Sequence, residues 1–315
     1  MVATGLVTRG SAAGPAVRGT ALALLSLLAL SPGCGDPQRH EYTINPNGSG
    51  KVFYQVENKY LLPLALEPKL IRGRAADVVP GAVTTFLKKS RGVVAWKDVS
   101  VKSTAASFGI RGTAYFDDVS KVRLYLQRPF SLRVARGEEG KWLLESVNES
   151  LHKMKAPRAE PEEEVPLEQV SQFWKGELER AKQPAGFDVT LVDLTVNLPG
   201  PLGQAVIFKP IEGKNAVSIA YRRHEFERAR AEVNADIEFL RARQKSGLSG
   251  YPIEEINEKL FGVKAMPSAT VTGELKPLFD YKAEVAAAKE AFPQVLKNFG
   301  IDPKDLEAKT EAAGD

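Results

Sequence analysis

The 315-residue chain has a single cysteine, Cys34, and no other feature excludes as many folds. One thiol cannot close an intramolecular disulfide, and it cannot supply a Cys-based zinc or iron–sulfur site. Whatever folds after it must be held by a hydrophobic core. Its neighbours Gly33, Gly35, Asp36 and Pro37 are loop formers, which place Cys34 in a turn or tether rather than in that core.

What precedes Cys34 is equally restrictive. Residues 20–30 form an apolar run of 11, the length of a signal-peptide core. A bilayer-spanning helix needs about 20. Arg9 and Arg18 are the only charges before the run, and the small residues Ser31, Pro32 and Gly33 follow it. We read residues 1–33 as a signal peptide removed by cleavage after Gly33. The ending Ser-Pro-Gly-Cys resembles the lipobox of bacterial lipoproteins. Gly33 before the cysteine fits the pattern; Ser31, where leucine is usual, and Pro32 depart from it. The resemblance implies that the Cys34 sulfur takes a diacylglyceryl group and that the new N-terminus is acylated. The chain would then be anchored in a membrane of the bacterial cell envelope, facing the periplasm or the exterior. The alternative is plain cleavage, leaving a secreted protein with one spare thiol.

Removing residues 1–33 lowers the net charge from +4 to +2 and leaves about 280 residues. This near-neutral balance argues against a nucleic-acid partner, which requires a concentrated basic surface. The remaining length suits one large or two ordinary domains. No later apolar run approaches membrane length.

Short alternating stretches dominate the first half. Residues 42–44 and 52–56 flank Asn45-Pro46-Asn47-Gly48-Ser49-Gly50, a hairpin signal because Asn-Gly supplies positive φ cheaply. This strand–turn–strand start is similar to that of lipoproteins with LppM-like domains. The likeness covers some 15 residues and transfers no functional residue. Residues 61–71, broken by Pro63 and Pro68, predict irregular edge structure. Residues 79–89 predict a short helix with Pro80 near its first turn. Strands are expected at 93–102, 107–116 and 121–128. A further hairpin, 130–135 with 141–147, is expected around Arg136-Gly137-Glu138-Glu139-Gly140.

Residues 155–166 combine three prolines with four glutamates and read as a linker, or as a surface loop within one domain. Beyond them a helix is expected from Leu167 to about Ala181 and a strand over 187–197. A hairpin of 205–209 with 216–221 should follow, then one long helix over 222–245, a short helix over 253–261 and a strand over 269–275. The closing helix carries a stripe of Tyr281, Val285, Ala288, Phe292, Leu296 and Phe299 and should kink at Pro293. The expected fold is therefore α+β, with antiparallel strand meanders and packed helices in two lobes. The mainly β lobe would span 34–155, the linker 156–166, an α+β lobe 167–302 and a frayed tail 303–315.

No catalytic or metal motif rises above an ordinary structural reading. His40 sits in the expected tether, His152 near a helix end and His224 at a helix start. His224-Glu225 opens like a zincin motif, but Arg228 and Ala229 stand where its second histidine would be. Asp117-Asp118 reads as a turn start. Trp96, Trp142 and Trp174 lie in core patterns. Basic clusters at Lys88-Lys89-Arg91, at Arg128, Arg133 and Arg136, and at Arg222-Arg223 could face anionic headgroups or simply solvent. The function expected is non-enzymatic binding or scaffolding at a membrane through lipidated Cys34, with a lipid or other hydrophobic ligand, and with no cofactor and no metal. The alternatives are an assembly factor that engages an envelope protein through residues 222–245, and a hydrolase with a dispersed site.

Overall fold

The computed structural model describes residues 38–59, 68–103, 107–125, 127, 131–137, 141–148, 152–153, 166–182, 190–246, 248–249 and 251–307. Gly33, Cys34, the expected signal segment and nearly all of the proline- and glutamate-rich stretch lie outside them.

The organising strand is β1 (Gln38–Ile44), which pairs antiparallel with β2 (Gly50–Lys59). The turn between them is the one expected from its Asn-Gly: Gly48 adopts a φ of +87°. On its other side β1 pairs parallel with β8 (Thr190–Asn197). The first described strand is therefore an interior strand of a seven-stranded sheet. β4 (Ser107–Phe116) and β3 (Ala95–Ser103) extend that sheet beyond β2, and β11 (Ala216–Arg222) and β10 (Lys209–Pro210) extend it beyond β8. A four-stranded sheet orders β5 (Ser131–Arg136), β6 (Trp142–Val147), β13 (Ser268–Val271) and β9 (Leu202–Val206). A short ladder joins β7 (His152–Lys153) to β12 (Leu248–Ser249).

The fold is α+β, as expected. Its strands, however, do not divide at residues 156–166. β1 to β4 precede that stretch and β8, β10 and β11 follow it, yet all seven share one sheet. The smaller sheet likewise mixes β5 and β6 with β9 and β13. Buried residues from both halves form one core, from Tyr42 and Trp142 to Val217 and Ile256. Two separate lobes would each have to bury a sheet face alone; interleaving lets one core serve both.

That core lies against one face of the large sheet. Period-2 alternation puts Gln38, His40, Tyr42 and Ile44 on this face of β1, with Tyr54 of β2 and Phe116 of β4 beside them. Helix α1 (Pro68–Lys89) covers it through Val83, Phe86 and Leu87. Phe86 stacks on Tyr54 at 5.9 Å and meets Trp96 at 4.9 Å. Trp142, 1% exposed, donates its Nε1–H to Pro46 O at 3.2 Å and ties the small sheet to the β1–β2 turn.

Several expectations are corrected. Helix α1 begins at Pro68, so Pro68 sits in its first turn and Pro80 within it; residues 68–71 are helical rather than irregular. The described residues of 121–128 form no strand: a 3₁₀ turn (Val119–Lys121) is followed by a single bridge from Arg123 to Arg91, although Val122 and Leu124 are buried as the alternation implied. Residues 222–245 form two helices, α3 (Arg223–Ala235) and α4 (Ile237–Ser246), after α2 (Leu167–Ala181). Asp236 breaks them: its backbone is extended, and its carboxylate accepts from the N–H groups of Glu238 and Phe239 at 2.9 and 3.3 Å, capping α4. The predicted hairpin of 205–209 with 216–221 separates, because β9 joins the small sheet and only Lys209–Pro210 pairs with β11.

Helix α5 (Ile253–Phe261) matches its expected span, and α6 (Tyr281–Asn298) runs through Pro293. Residues 303–307 do not fray but form a short helix, α7 (Pro303–Glu307). Among the described residues no helix is long and apolar enough to cross a membrane.

Candidate functional site

Helix α6 begins on the opposite face of the large sheet from α1, and further along it Leu296 is buried in the main core. Asp280 caps it by accepting from Ala283 N–H at 3.1 Å, and Ala288 packs with Ala95 and Tyr115 in a small second cluster. A polar clamp fixes it there. Lys51 of β2 donates to both Glu284 oxygens at 2.9 and 2.8 Å, and the Tyr115 hydroxyl donates to Glu284 Oε2 at 2.9 Å. Lys51 also lies 4.3 Å from the Phe279 ring centre. Burial pulls the Glu284 carboxyl upward, but the hydrogen bonds from Lys51 and Tyr115 and the charge of Lys97 outweigh it and hold the carboxyl below the usual range. Burial, reinforced by that carboxylate, keeps the Tyr115 hydroxyl protonated well past the ordinary tyrosine range.

With α1 on one face and α6 on the other, the edge strand β3 is flanked from both sides, and a groove opens along its start. The chain reaches it from α1 through a tight connection. Ser90 donates its hydroxyl to Phe86 O at 2.8 Å, and Gly92 turns at a φ of +73°. A Cβ at position 92 would lie 2.2 Å from Lys121 O, so only glycine fits. The groove has a volume of 330 Å³ and is floored by Leu87, Val93, Val94, Ala95, Trp96, Phe292 and Leu306. Lys88 and Lys289, both exposed, stand at its rim. Neither has an ion-pair partner among the described residues. The volume lies near the lower end of ligand sites, about 300–1,000 Å³.

This arrangement can hold an apolar tail and pair an anionic head. Ser90, the one hydroxyl in the lining, is engaged with Phe86 O and accepts from Tyr125 N–H at 3.1 Å. Among the described residues no histidine or carboxylate lines the groove. Among the described residues no group of three His, Cys, Asp or Glu side chains could hold a metal ion.

The sequence-predicted residues fall as follows. Cys34 and Gly33 lie outside the described residues. His40 is not in a tether: it is 3% exposed inside β1, hydrogen-bonded through Nε2 to Gln38 Oε1 at 3.2 Å and 4.8 Å from the Tyr54 ring. Burial pushes its pKa down to about 3, so it is neutral in the folded protein. His152 lies in β7 rather than near a helix end, and His224 in the first turn of α3. Asp118 caps the 3₁₀ turn, accepting from Ser120 N–H at 2.9 Å, and Asp117 accepts from the Tyr281 hydroxyl at 2.7 Å, in keeping with a turn. All three tryptophans are buried.

Among the described residues of the basic clusters only Lys88 reaches the groove. Its other elements, the end of α1, the start of β3, α6 and α7, span residues 87–306, and no local sequence signal joins them. No protein-family model, no curated protein and no solved structure matches the chain.

Proposed function

We propose that this chain is an exported, lipid-anchored protein of the bacterial cell envelope, held through Cys34, with a non-enzymatic binding role. Its ligand is an amphiphile with an acyl-like tail and an anionic head. The observation that carries this reading is the groove beside β3, an apolar floor of Leu87, Trp96 and Phe292 with Lys88 and Lys289 at the rim. Each tail CH₂ buried there would contribute about 0.8 kcal/mol. The two ammonium groups would select a carboxylate or phosphate over a neutral head.

Native mass spectrometry of the protein released from an envelope extract tests this. The expected result is an added mass that leaves on denaturation and is lost in Lys88→Glu/Lys289→Glu. An apo mass in wild type and variant alike would defeat the binding role. The anchor is tested separately: Cys34→Ala should move the chain from the membrane to the soluble fraction.

A second reading, an assembly factor, has α4 in its favour. That helix buries none of its residues, although it carries Ile237, Phe239 and Leu240. A partner that crosslinks through α4 while the groove stays empty would favour it.

A further inference from the structure

The register of the large sheet fixes what lies near the anchor. Gln38, the first residue of β1, is four residues from Cys34. Four residues span at most about 14 Å even when fully extended. If Cys34 is lipidated, as proposed above and as this inference requires, the start of β1 must sit within that distance of the headgroups.

Across the sheet, Gln38 aligns with Val56, Val56 with Ile110 and Ile110 with Val101. On the polar face beside this row, Arg39 aligns with Gln55, Gln55 with Arg111 and Arg111 with Ser100. One step nearer the tethered end, Glu57 aligns with Gly109 and Gly109 with Lys102. These residues of β2, β3 and β4 line an open cleft of 450 Å³.

Arg111 is exposed and donates Nε–H to Ser100 Oγ at 2.9 Å, which fixes the guanidinium over the cleft. Lys102 is exposed beside it, and neither has an ion-pair partner among the described residues. Glu57 is the one carboxylate in the lining; it accepts from Gln55 Nε2 at 3.4 Å. Arg39, outside the lining, lies 3.7 Å from Glu41.

We infer that this end of the large sheet faces the bilayer, and that Arg111 and Lys102 take the phosphate of an anionic phospholipid headgroup into the cleft. Two observations carry it: the covalent reach from Cys34 to Gln38, and a cation on each of the two rows that flank the Gln38 row, Arg111 on one and Lys102 on the other. The groove beside β3 lies toward the other end. Ala95 aligns with Tyr115, Tyr115 with Lys51 and Lys51 with Thr43, five residues along β1 from Gln38. At strand rise that is about 17 Å further along the sheet from the tethered end. The groove beside β3 and the cleft are therefore separate sites at opposite ends of the strands.

The test uses the exported chain carrying Cys34→Ala, so that binding is read without the anchor, with vesicles of phosphatidylcholine alone or with phosphatidylglycerol added. Co-sedimentation should require phosphatidylglycerol, and Lys102→Ala/Arg111→Ala should weaken it about 30-fold. In the wild-type chain reconstituted in the same vesicles, phosphatidylglycerol should slow amide exchange in residues 100–102 and 109–111 but not in 87–96. Equal binding to both vesicles, an unaffected double variant or protection confined to 87–96 would each overturn the inference. Equal protection by dissolved glycerol phosphate would also overturn it, by assigning the cleft to a soluble anion. A wild-type chain found in the soluble fraction would overturn the anchor and with it the orientation drawn from Cys34, whereas failed co-sedimentation of the Cys34→Ala chain would overturn the headgroup site and leave the anchor standing.

Discussion

The two faces of the seven-stranded sheet are built from the same strands and held by different forces. On the inner face His40, Tyr42, Tyr54 and Phe116 pack against α1 and the small sheet with almost no water. On the outer face Arg39, Glu41, Gln55 and Arg111 stay polar, and α6 is held by the clamp of Lys51, Glu284 and Tyr115. Beyond the part that α6 covers, where Tyr115 is buried, the outer face of β1, β2 and β4 is therefore free to carry charge without cost to the fold.

The largest effect should come from the inner face. Phe86→Ala empties the space between Tyr54 and Trp96 and should cost about 3–5 kcal/mol, read as a lower urea midpoint at unchanged slope.

Next is acid. His40 is neutral when folded because burial lowers its pKa from 6.5 to about 3, so the unfolded chain binds the extra proton first. The stability this group contributes is complete above its unfolded pKa and is lost as pH falls toward its folded one. The loss should be roughly 1.4 kcal/mol per pH unit in that window, or about 2–3 kcal/mol by pH 4.5. His40→Phe should flatten the acid limb of the stability profile; an unchanged limb would assign acid sensitivity elsewhere.

On the outer face Glu284→Ala frees Lys51 and leaves the Tyr115 hydroxyl without its acceptor. The ion pair is partly exposed and worth little, so about 1–2 kcal/mol should be lost, and amide exchange should rise in α6 ahead of β2. Smallest of all, Lys102→Ala/Arg111→Ala should leave stability within about 0.5 kcal/mol of wild type. A large loss there would mean that the outer face is structural after all.

The alternation that separates the faces was readable where apolar residues carried it, as in Val52, Tyr54 and Val56. It was missed at Gln38 and His40, two polar residues on the buried phase that satisfy each other. The break at Asp236 had a readable signal, an Asp directly before Ile237-Glu238-Phe239, but the continuous stripe from Phe226 to Leu240 masked it. Val122 and Leu124 show the opposite error. They alternate and are buried in the main core, yet only the single bridge at Arg123, and no strand ladder, accompanies them among the described residues. The groove beside β3 was illegible because it exists only where α1 and α6 approach one edge from two sides. Leu87 and Phe292 each look like routine helix-stripe residues.

The parallel pairing of β1 with β8 also orders events in time. Gln38 and its partner Val192 are 154 residues apart in the chain. A polypeptide emerging N-terminus first can form the β1–β2 hairpin early, but β1 keeps one unpaired edge until Thr190–Asn197 arrives. Closing so long a loop is slow, so the body stays open through most of its synthesis. Until that strand arrives, the unpaired edge of β1 is open to pairing with another chain, so mutations that delay closure should show first as aggregation during folding.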